Sequence, residues 1–367
     1  MDTIDFLNGF ELPFNMEKGS FEKRICSCKD ILIQQISGLE KDLWDIDKTY
    51  HVKIIENRFN AILDSFKLVI AGKYSSAYDC FNNMMNTNSS YEKLCTNNPC
   101  NPLIGRLFYR IRVIDNPLVL LNKIDMFHIP FEYRHKVKRQ RYSLLGLPCL
   151  YLGGSIYISW LEMEKPSFHN ITYVKFENIQ AKLKIIDLGY RPFLVAAFAN
   201  ECEANNNVDD TKRIFVSDYI EWLPLRVACS LFKQHGDSPF IEEYVIPQLL
   251  LMWIKENPAT NIDGVRYFST REIKPFNNPH FTCNYVFPPK DVKEKGICDS
   301  LNSNWKMCEP VSFQLVSSSG IPLGSTEGRI PREEIELVNG IKWQYSVTVF
   351  GNMEAIISLY PMGKCIP

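Results

Sequence analysis

A long helical segment that ends in an abrupt change of pattern constrains the fold of this chain most strongly. From Lys29 to about Met85 glycine and proline are scarce, and apolar residues such as Ile55, Phe59 and Ile62 recur at helical spacing. Ala71-Gly72-Lys73 interrupts the pattern as a helix stop does. The segment therefore predicts a group of helices packed on one another.

Two polar, turn-forming clusters follow this segment. They are Asn86 to Ser90 and Asn97 to Pro102, and clusters of this composition are typical of a linker or a domain boundary. A boundary near residue 100 divides the 367 residues into a helical domain over 1–100 and a second domain over 101–367.

Beyond the boundary, strand and helix patterns are mixed. Strand patterns cover Leu107–Val113, Leu147–Leu152, Ile171–Phe176, Lys182–Leu188, Asp263–Ser269, Asn284–Phe287, Val311–Val316 and Trp343–Phe350. Helix patterns cover Ser155–Met163, Ser217–Phe232 and Pro239–Lys255. The two kinds do not alternate regularly enough for a doubly wound parallel sheet, so we expect an α+β fold.

Composition and charge exclude several classes of protein. With 46% hydrophobic residues and 41 basic against 42 acidic side chains, the chain is neither disordered nor a polyelectrolyte. The 12 cysteines are scattered, without zinc-ligand spacing, and no secretion signal pattern opens the sequence, so we expect no metal and a reducing, cytoplasmic environment. The best candidate for a membrane span, Val245–Ile254, is too short to cross a bilayer and contains Pro247, so we expect a soluble protein without a membrane partner.

Two arginines share one face of the strand that begins at Leu107. Alternation along a strand places Arg110 and Arg112 on the same side, about 7 Å apart. Paired guanidinium groups suit a diphosphate or a carboxylate, because each can donate two parallel hydrogen bonds. A solvated strand face explains the same pattern, and the spacing alone favours that interpretation.

A basic stretch from Tyr133 to Tyr142 precedes a return to apolar sequence. It suits phosphate or nucleic-acid binding, although a solvated loop is the commoner explanation of such a run. Arg141 differs from the other cations, since it stands where the charged run turns into core.

An apolar strand, a Gly-Gly turn and a helix follow one another between Cys149 and Glu162. Ser155 is placed to cap the helix, on which Ser159 and Glu162 continue one polar stripe. A carboxylate on the inner face of such a helix is costly unless it is paired or used, whereas an ordinary amphipathic helix would leave Glu162 in water.

Two polar residues at the ends of later strands complete the candidates. Ser269 and Asn284 have side chains that can bind a ribose or an amide, and both are also common turn residues.

Taken together, Tyr109-Arg110-Ile111, Arg141-Tyr142, Tyr151-Leu152, Glu162 and Ser269 resemble the RES domain, a family named for its Arg, Glu and Ser that includes bacterial NAD-consuming toxins. The intervals of 10 residues from Arg141 to Tyr151 and 11 from Tyr151 to Glu162 carry the resemblance, which covers roughly residues 103 to 290. It implies a fold akin to ADP-ribosyltransferases and cleavage of the bond between nicotinamide and ribose in NAD+.

The resemblance also implies roles for these residues. Glu162, Arg141 and Tyr151 would be catalytic: Glu162 stabilises an oxocarbenium-like transition state, Arg141 holds the diphosphate with Arg110, and Tyr151 contacts the nicotinamide ring. A second set would bind the rest of NAD+, with Arg110 and Arg112 as alternatives for the functional arginine; this set is Tyr109, Arg110, Arg112, Ser269 and Asn284. NAD+ is then a substrate, and no cofactor is implied.

The sequence leaves the acceptor of the ADP-ribosyl group open. Inorganic phosphate as co-substrate would yield ADP-ribose-1″-phosphate, water would yield ADP-ribose, and a protein or nucleic acid would be modified. A non-enzymatic nucleic-acid-binding module is a further alternative, which the near-zero net charge disfavours. The helical domain would bind an antitoxin or sensor, or mediate self-association into a homo-oligomer.

Overall fold

The computed structural model describes residues 1–14, 19–95, 107–116, 119–180, 183–235, 238–271, 276, 278, 280–314, 333–338 and 340–366. It has an α+β architecture. The helices are α1 (Thr3–Gly9), α2 (Phe21–Ser37), α3 (Lys48–Ile70), α4 (Tyr74–Asn86), α5 (Lys123–Met126), α6 (Ile156–Glu162), α7 (Pro192–Ala204), α8 (Asp210–Glu221), α9 (Leu223–Ser230), α10 (Val245–Glu256), α11 (Asp299–Asn304) and α12 (Val349–Ser358). The strands are β1 (Leu107–Val113), β2 (Leu150–Gly153), β3 (Ile171–Asn178), β4 (Ile185–Leu188), β5 (Gly264–Phe268), β6 (Cys283–Phe287), β7 (Trp305–Met307), β8 (Val311–Ser312), β9 (Glu334–Val338), β10 (Ile341–Gln344) and β11 (Gly363–Lys364).

The chain forms two compact units, and each is discontinuous in sequence. The first combines residues 1–97, 139–144 and 185–262, and the second combines 98–138, 145–184 and 263–367. The predicted division into 1–100 and 101–367 stays a prediction, and its boundary lies in residues 96–106, outside the described part of the chain.

The first unit is mainly helical and is built around α3. Asp47 caps this helix by accepting a hydrogen bond from the Tyr50 amide at 3.0 Å, and Gly72 ends it with a φ of 73°. Ile55, Phe59 and Ile62 are fully buried, and the helix packs against α2, α4 and α9. The predicted helical periodicity is therefore confirmed as three helices, α2 to α4, separated by breaks.

The second unit contains an antiparallel sheet in the order β11-β7-β3-β1-β2-β6-β5, with β8 also paired to β3. One side of the sheet carries an aromatic core. The Phe108 ring lies 4.9 Å from Tyr285 and 5.2 Å from Trp305, and the Phe287 ring lies 4.8 Å from Trp305. Such edge-to-face pairs bury large apolar surfaces and hold the central strands in register.

The predicted strand over Trp343–Phe350 is wrong in its second half. Strand β10 ends at Gln344, and α12 begins at Val349 after a short 3-10 turn. The Thr348 side chain caps the helix by accepting from the Gly351 amide, and buried Phe350, Met353 and Ile357 follow at helical spacing. The strand prediction failed because the short segment is rich in β-branched and aromatic residues, and neither type excludes a helix that buries one face.

Candidate functional site

A tight turn between β2 and α6 sets the position of Glu162. A Cβ atom at Gly153 would overlap the Ser159 hydroxyl, and one at Gly154 would overlap the carbonyl oxygen of His280. Only glycine fits such close approaches. Ser155 then caps α6, as its position in the sequence predicts, by accepting from the Ile158 amide at 3.1 Å. Glu162 is the last residue of this seven-residue helix.

Two buried side chains hold the Glu162 carboxylate. The Ser269 hydroxyl donates to Oε1 at 2.6 Å, and the Asn284 amide Nδ2 donates to the same oxygen at 2.7 Å. Ser269 is fully buried and Asn284 is 5% exposed, whereas the Glu162 side chain is 35% exposed. Short hydrogen bonds to a charged acceptor are among the stronger ones in proteins, so the carboxylate is oriented while remaining accessible.

Strand pairing explains why Asn284 reaches Glu162. Asn284 lies on β6 opposite Gly153 of β2 and Tyr267 of β5. Ser269 follows the end of β5, and its amide donates to the Thr282 carbonyl at 3.0 Å. The sheet thus brings three sequence-predicted residues, Glu162, Ser269 and Asn284, into direct contact.

Arg271 is a neighbour of Glu162 that sequence reasoning missed. Its Nε lies 3.5 Å from Glu162 Oε2, and its Nη2 donates to Glu164 Oε1 at 2.9 Å. The Arg271 amide also donates to the Ser269 hydroxyl oxygen at 3.1 Å. The one available signal was its position two residues after Ser269, since a cation there must lie close to whatever Ser269 contacts.

A shallow cleft opens beside this ion pair. It has a volume of about 320 Å³ and is lined by Leu161, Glu164, Lys165 and Arg271. Glu164 and Lys165 both adopt left-handed backbone angles, with φ of 65° and 56°. Two consecutive residues other than glycine in the left-handed region are uncommon. Here they turn the chain sharply away from the end of α6.

Arg110 and Tyr151 form a second pair of predicted residues that interact. The pKa of Arg110 is lowered to about 10, mainly by burial and in smaller part by Arg112, while Tyr151 opposes the shift. The buried Nη1 of Arg110 has no hydrogen-bond partner among the described residues. Burial likewise raises the pKa of Tyr151 well above its ordinary value, with Cys149 and Tyr267 adding to the effect. A buried guanidinium nitrogen with an unused donor is suited to an anion.

Arg112 and Tyr109 have other partners than the Glu162 carboxylate. The Arg112 guanidinium is exposed and donates to the carbonyl oxygen of Asp125. Tyr109 is buried and hydrogen-bonds the carboxyl group of Glu354, and burial, with Glu354 adding, raises its pKa well above the ordinary value.

Arg141 belongs to the first unit, where backbone carbonyls take up its guanidinium. Nη1 donates to the Cys229 carbonyl at 3.1 Å and Nη2 to that of Leu231 at 3.0 Å, with the Tyr244 ring 5.4 Å away. Arg139 in the basic stretch is likewise bound to carbonyl oxygens, those of Ser238 and Pro239. The catalytic role predicted for Arg141 stays a prediction.

The described residues lack the features of two other classes of protein, membrane-spanning proteins with a helical span and metalloproteins. No helix in the described ranges is long and apolar enough to cross a membrane. No group of three or more His, Cys, Asp or Glu side chains there is arranged to hold a metal ion.

Comparison with known proteins finds a relative in Bacillus subtilis (strain 168). The protein bears the name "Putative toxin YopC" and is 29% identical over 316 residues, which is 83% of this chain and 69% of the relative. Because the aligned length exceeds the size of either compact unit, the similarity extends over both. No family model matches the chain, and no solved structure matches it significantly.

Proposed function

We propose that this chain is a toxin that degrades NAD+ by cleaving the bond between nicotinamide and ribose. The observation that carries the proposal is the Glu162 carboxylate, held through one oxygen by Ser269 and Asn284 and still partly exposed. The resemblance to the RES family supports the substrate, and the name of the Bacillus subtilis relative supports the toxin role.

The hydrogen bonding of Glu162 suits the charge that develops in this reaction. Oε1 accepts two hydrogen bonds, while the nearest cation to Oε2 among the described residues, Arg271 Nε, is 3.5 Å away, which is longer than a good hydrogen bond. Oε2 therefore keeps lone pairs with which to face a ribose. When the C–N bond breaks, its electron pair leaves with nicotinamide and positive charge builds on the ribose carbon, so a fixed carboxylate stabilises the transition state more than the ground state.

No general acid is needed for this step, because nicotinamide leaves as a neutral molecule. The oxocarbenium-like carbon then bonds to water or to phosphate, and an attacking water passes its proton to solvent. We assign Arg110, through its unused Nη1, to the diphosphate, and Tyr151 to the nicotinamide ring.

The first experiment measures nicotinamide release from NAD+ by the purified full chain, with and without inorganic phosphate. Glu162→Gln should lower the rate by about a thousandfold or more, since it removes the charge opposite the transition state. Glu164→Gln is the matched control, because it removes a neighbouring carboxylate that also contacts Arg271, and it should retain most of the activity. Absence of nicotinamide release in both buffers would reject the proposal.

The acceptor of the ADP-ribosyl group is identified with NAD+ that carries a label in its ADP-ribose part. ADP-ribose-1″-phosphate formed only in phosphate identifies a phosphorylase, and ADP-ribose in both buffers a glycohydrolase. Label retained on protein or nucleic acid identifies a transferase instead.

A growth assay tests the toxin role directly. Expression of the chain in a bacterial host should deplete cellular NAD+ and arrest growth, and the Glu162→Gln variant should do neither. If growth still stops with this variant at equal protein level, NAD+ cleavage is not the cause of the toxicity.

A further inference from the structure

The short helix that carries Glu162 is anchored at its first turn to two distant segments of the chain. Ser155 Oγ accepts from the Ile158 amide and donates to the Phe281 carbonyl at 2.9 Å. Glu354 Oε1 accepts from the Ile156 amide at 2.9 Å. A helix of seven residues has no stability of its own, so these contacts decide where α6 lies and where Glu162 points.

Glu354 lies on α12, which packs against α6 and β3, and it is only 4% exposed. Its Oε1 also accepts from the Tyr345 hydroxyl at 2.6 Å, and the carboxyl group is hydrogen-bonded to Tyr109. Three donors converge on one buried carboxyl group, and their hydrogen bonds favour the ionised form, in opposition to burial, which favours the neutral form.

Among the described residues, no positively charged side chain pairs with the Glu354 carboxyl group. No lysine or arginine among the described residues contributes to its pKa. Lys175 on the neighbouring β3 directs its Nζ to the carbonyl oxygens of Ser358 and Tyr360, both at 3.4 Å. In the described part of the chain, the groups that face Glu354 are the Tyr109 hydroxyl from β1, the Tyr345 hydroxyl from the 3-10 turn and the Ile156 amide from α6.

We propose that Glu354 is a positioning residue whose carboxylate anchors the start of α6 and thereby sets Glu162 against Ser269 and Asn284. Only the expected effect on the reaction rate rests on the proposed function, because the anchoring itself is a property of the fold. Tyr109 acts through Glu354 in this arrangement, behind the site rather than at the substrate.

Protonation of Glu354 releases part of this anchor. Burial raises the pKa of Glu354 to about 7, against the opposing effects of the hydrogen bonds from Tyr345, Ile156 and Tyr109. The neutral acid is a weaker hydrogen-bond acceptor than the carboxylate. One of its oxygens carries a proton and acts as a donor, so the group accepts less well from its three neighbours. We therefore expect α6 to shift and kcat to fall as the pH is lowered through about 7.

The experiment measures the position of α6 and the catalytic activity separately. Trp160 lies within α6 and stacks on Phe168 with ring centroids 5.6 Å apart, so its fluorescence reports the position of the helix. The difference between wild type and Trp160→Phe isolates this signal from the other tryptophans. In the wild type the Trp160 signal and kcat should titrate together with a midpoint near pH 7, and KM should change less than twofold.

Glu354→Gln mimics the protonated acid. Its Trp160 signal and kcat should be independent of pH around 7, with kcat about tenfold below the wild-type value at pH 8. Glu294→Gln is the control, because Glu294 is exposed in the same unit, and it should titrate like the wild type. A wild-type Trp160 signal without this titration, or a Glu354→Gln signal that retains it, would overturn the inference.

A second variant keeps the carboxyl group of Glu354 and so tests the inference even if Glu354→Gln fails to fold. Tyr345→Phe removes one donor to the carboxylate, so the midpoint of the Trp160 signal should move to higher pH. An unchanged midpoint would count against the anchor. If the wild type releases no nicotinamide, the proposed function fails while the Trp160 titration still decides the inference.

Discussion

The Ser269 hydroxyl donates a 2.6 Å hydrogen bond to Glu162 Oε1, although 107 residues separate the two in the chain. The bond fixes one carboxylate oxygen from a fully buried position. Because Asn284 holds the same oxygen, the carboxylate keeps its orientation, and its other oxygen lies 3.5 Å from Arg271 Nε.

Removal of the Ser269 hydroxyl should impair catalysis more than folding. Ser269→Ala leaves Glu162 with one donor, so we expect kcat to fall by about tenfold and the free energy of unfolding by about 1 kcal/mol. NAD+ turnover and urea unfolding of the same preparation measure the two effects. The neighbouring Thr270→Ala variant serves as control, and an equal loss of kcat in both would argue against a role for this hydrogen bond.

A carboxylate at position 284 should be worse than no polar group. Asn284→Asp has nearly the same shape as the native residue but places a second negative charge beside Glu162. Like charges at hydrogen-bond distance repel, so Asn284→Asp should lower kcat more than Asn284→Ala does. A rate for the Asp variant equal to or above that of the Ala variant would contradict the contact.

Loss of an exposed ion pair, that of Arg271, should affect stability much less than loss of a buried one, that of Arg58. Arg271 is about one-third exposed, so Arg271→Ala should change the free energy of unfolding by less than about 1 kcal/mol. Arg58 is 4% exposed, pairs with Glu221 and stacks 3.8 Å above the Trp222 ring, so Arg58→Ala should cost about 3–5 kcal/mol. Urea unfolding compares the two variants, and similar losses would refute the difference in burial.

The Gly-Gly turn should tolerate no side chain. Gly154→Ala would force the new methyl group onto the His280 carbonyl, so we expect a loss of about 2 kcal/mol or more and displacement of α6. Gly9→Ala is the control, because nothing lies within 4 Å of the added atom. Thermal unfolding should show a large decrease for the first variant and none for the second.

Glu354 should make stability depend on pH in a defined direction. Its pKa in the folded state, about 7, is above the ordinary value of 4.5, so the folded protein holds this proton more tightly than the unfolded chain does. The stabilising contribution is complete below pH 4.5 and is lost as the pH rises through about 7, at a cost of roughly 3 kcal/mol. The difference in unfolding free energy between wild type and Glu354→Gln should therefore decrease from pH 5 to pH 8, and a constant difference would contradict the burial of this group.

Local pattern predicted the elements that carry the site. The strand over Leu107–Val113, the Ser155 cap and the helix that ends near Glu162 are all confirmed, because each depends on residues within one turn or one alternation of each other. The segment Trp343–Phe350 was misread because local composition is ambiguous where a short apolar stretch is buried by distant partners.

What local pattern could not supply is the set of partners that each polar side chain finds. Whether Glu162 lies in water or against Ser269 and Asn284 depends on the register of β5 and β6. Arg271 reaches the site because it follows Ser269, and Glu354 reaches α6 because α12 packs on that helix. The sequence determined the strand, the cap and the helix that carry the site, and it named Glu162, Ser269 and Asn284 among the residues that could carry the chemistry. Tertiary structure decided which of them meet, because hydrogen bonds between residues more than a hundred positions apart depend on how the whole sheet closes.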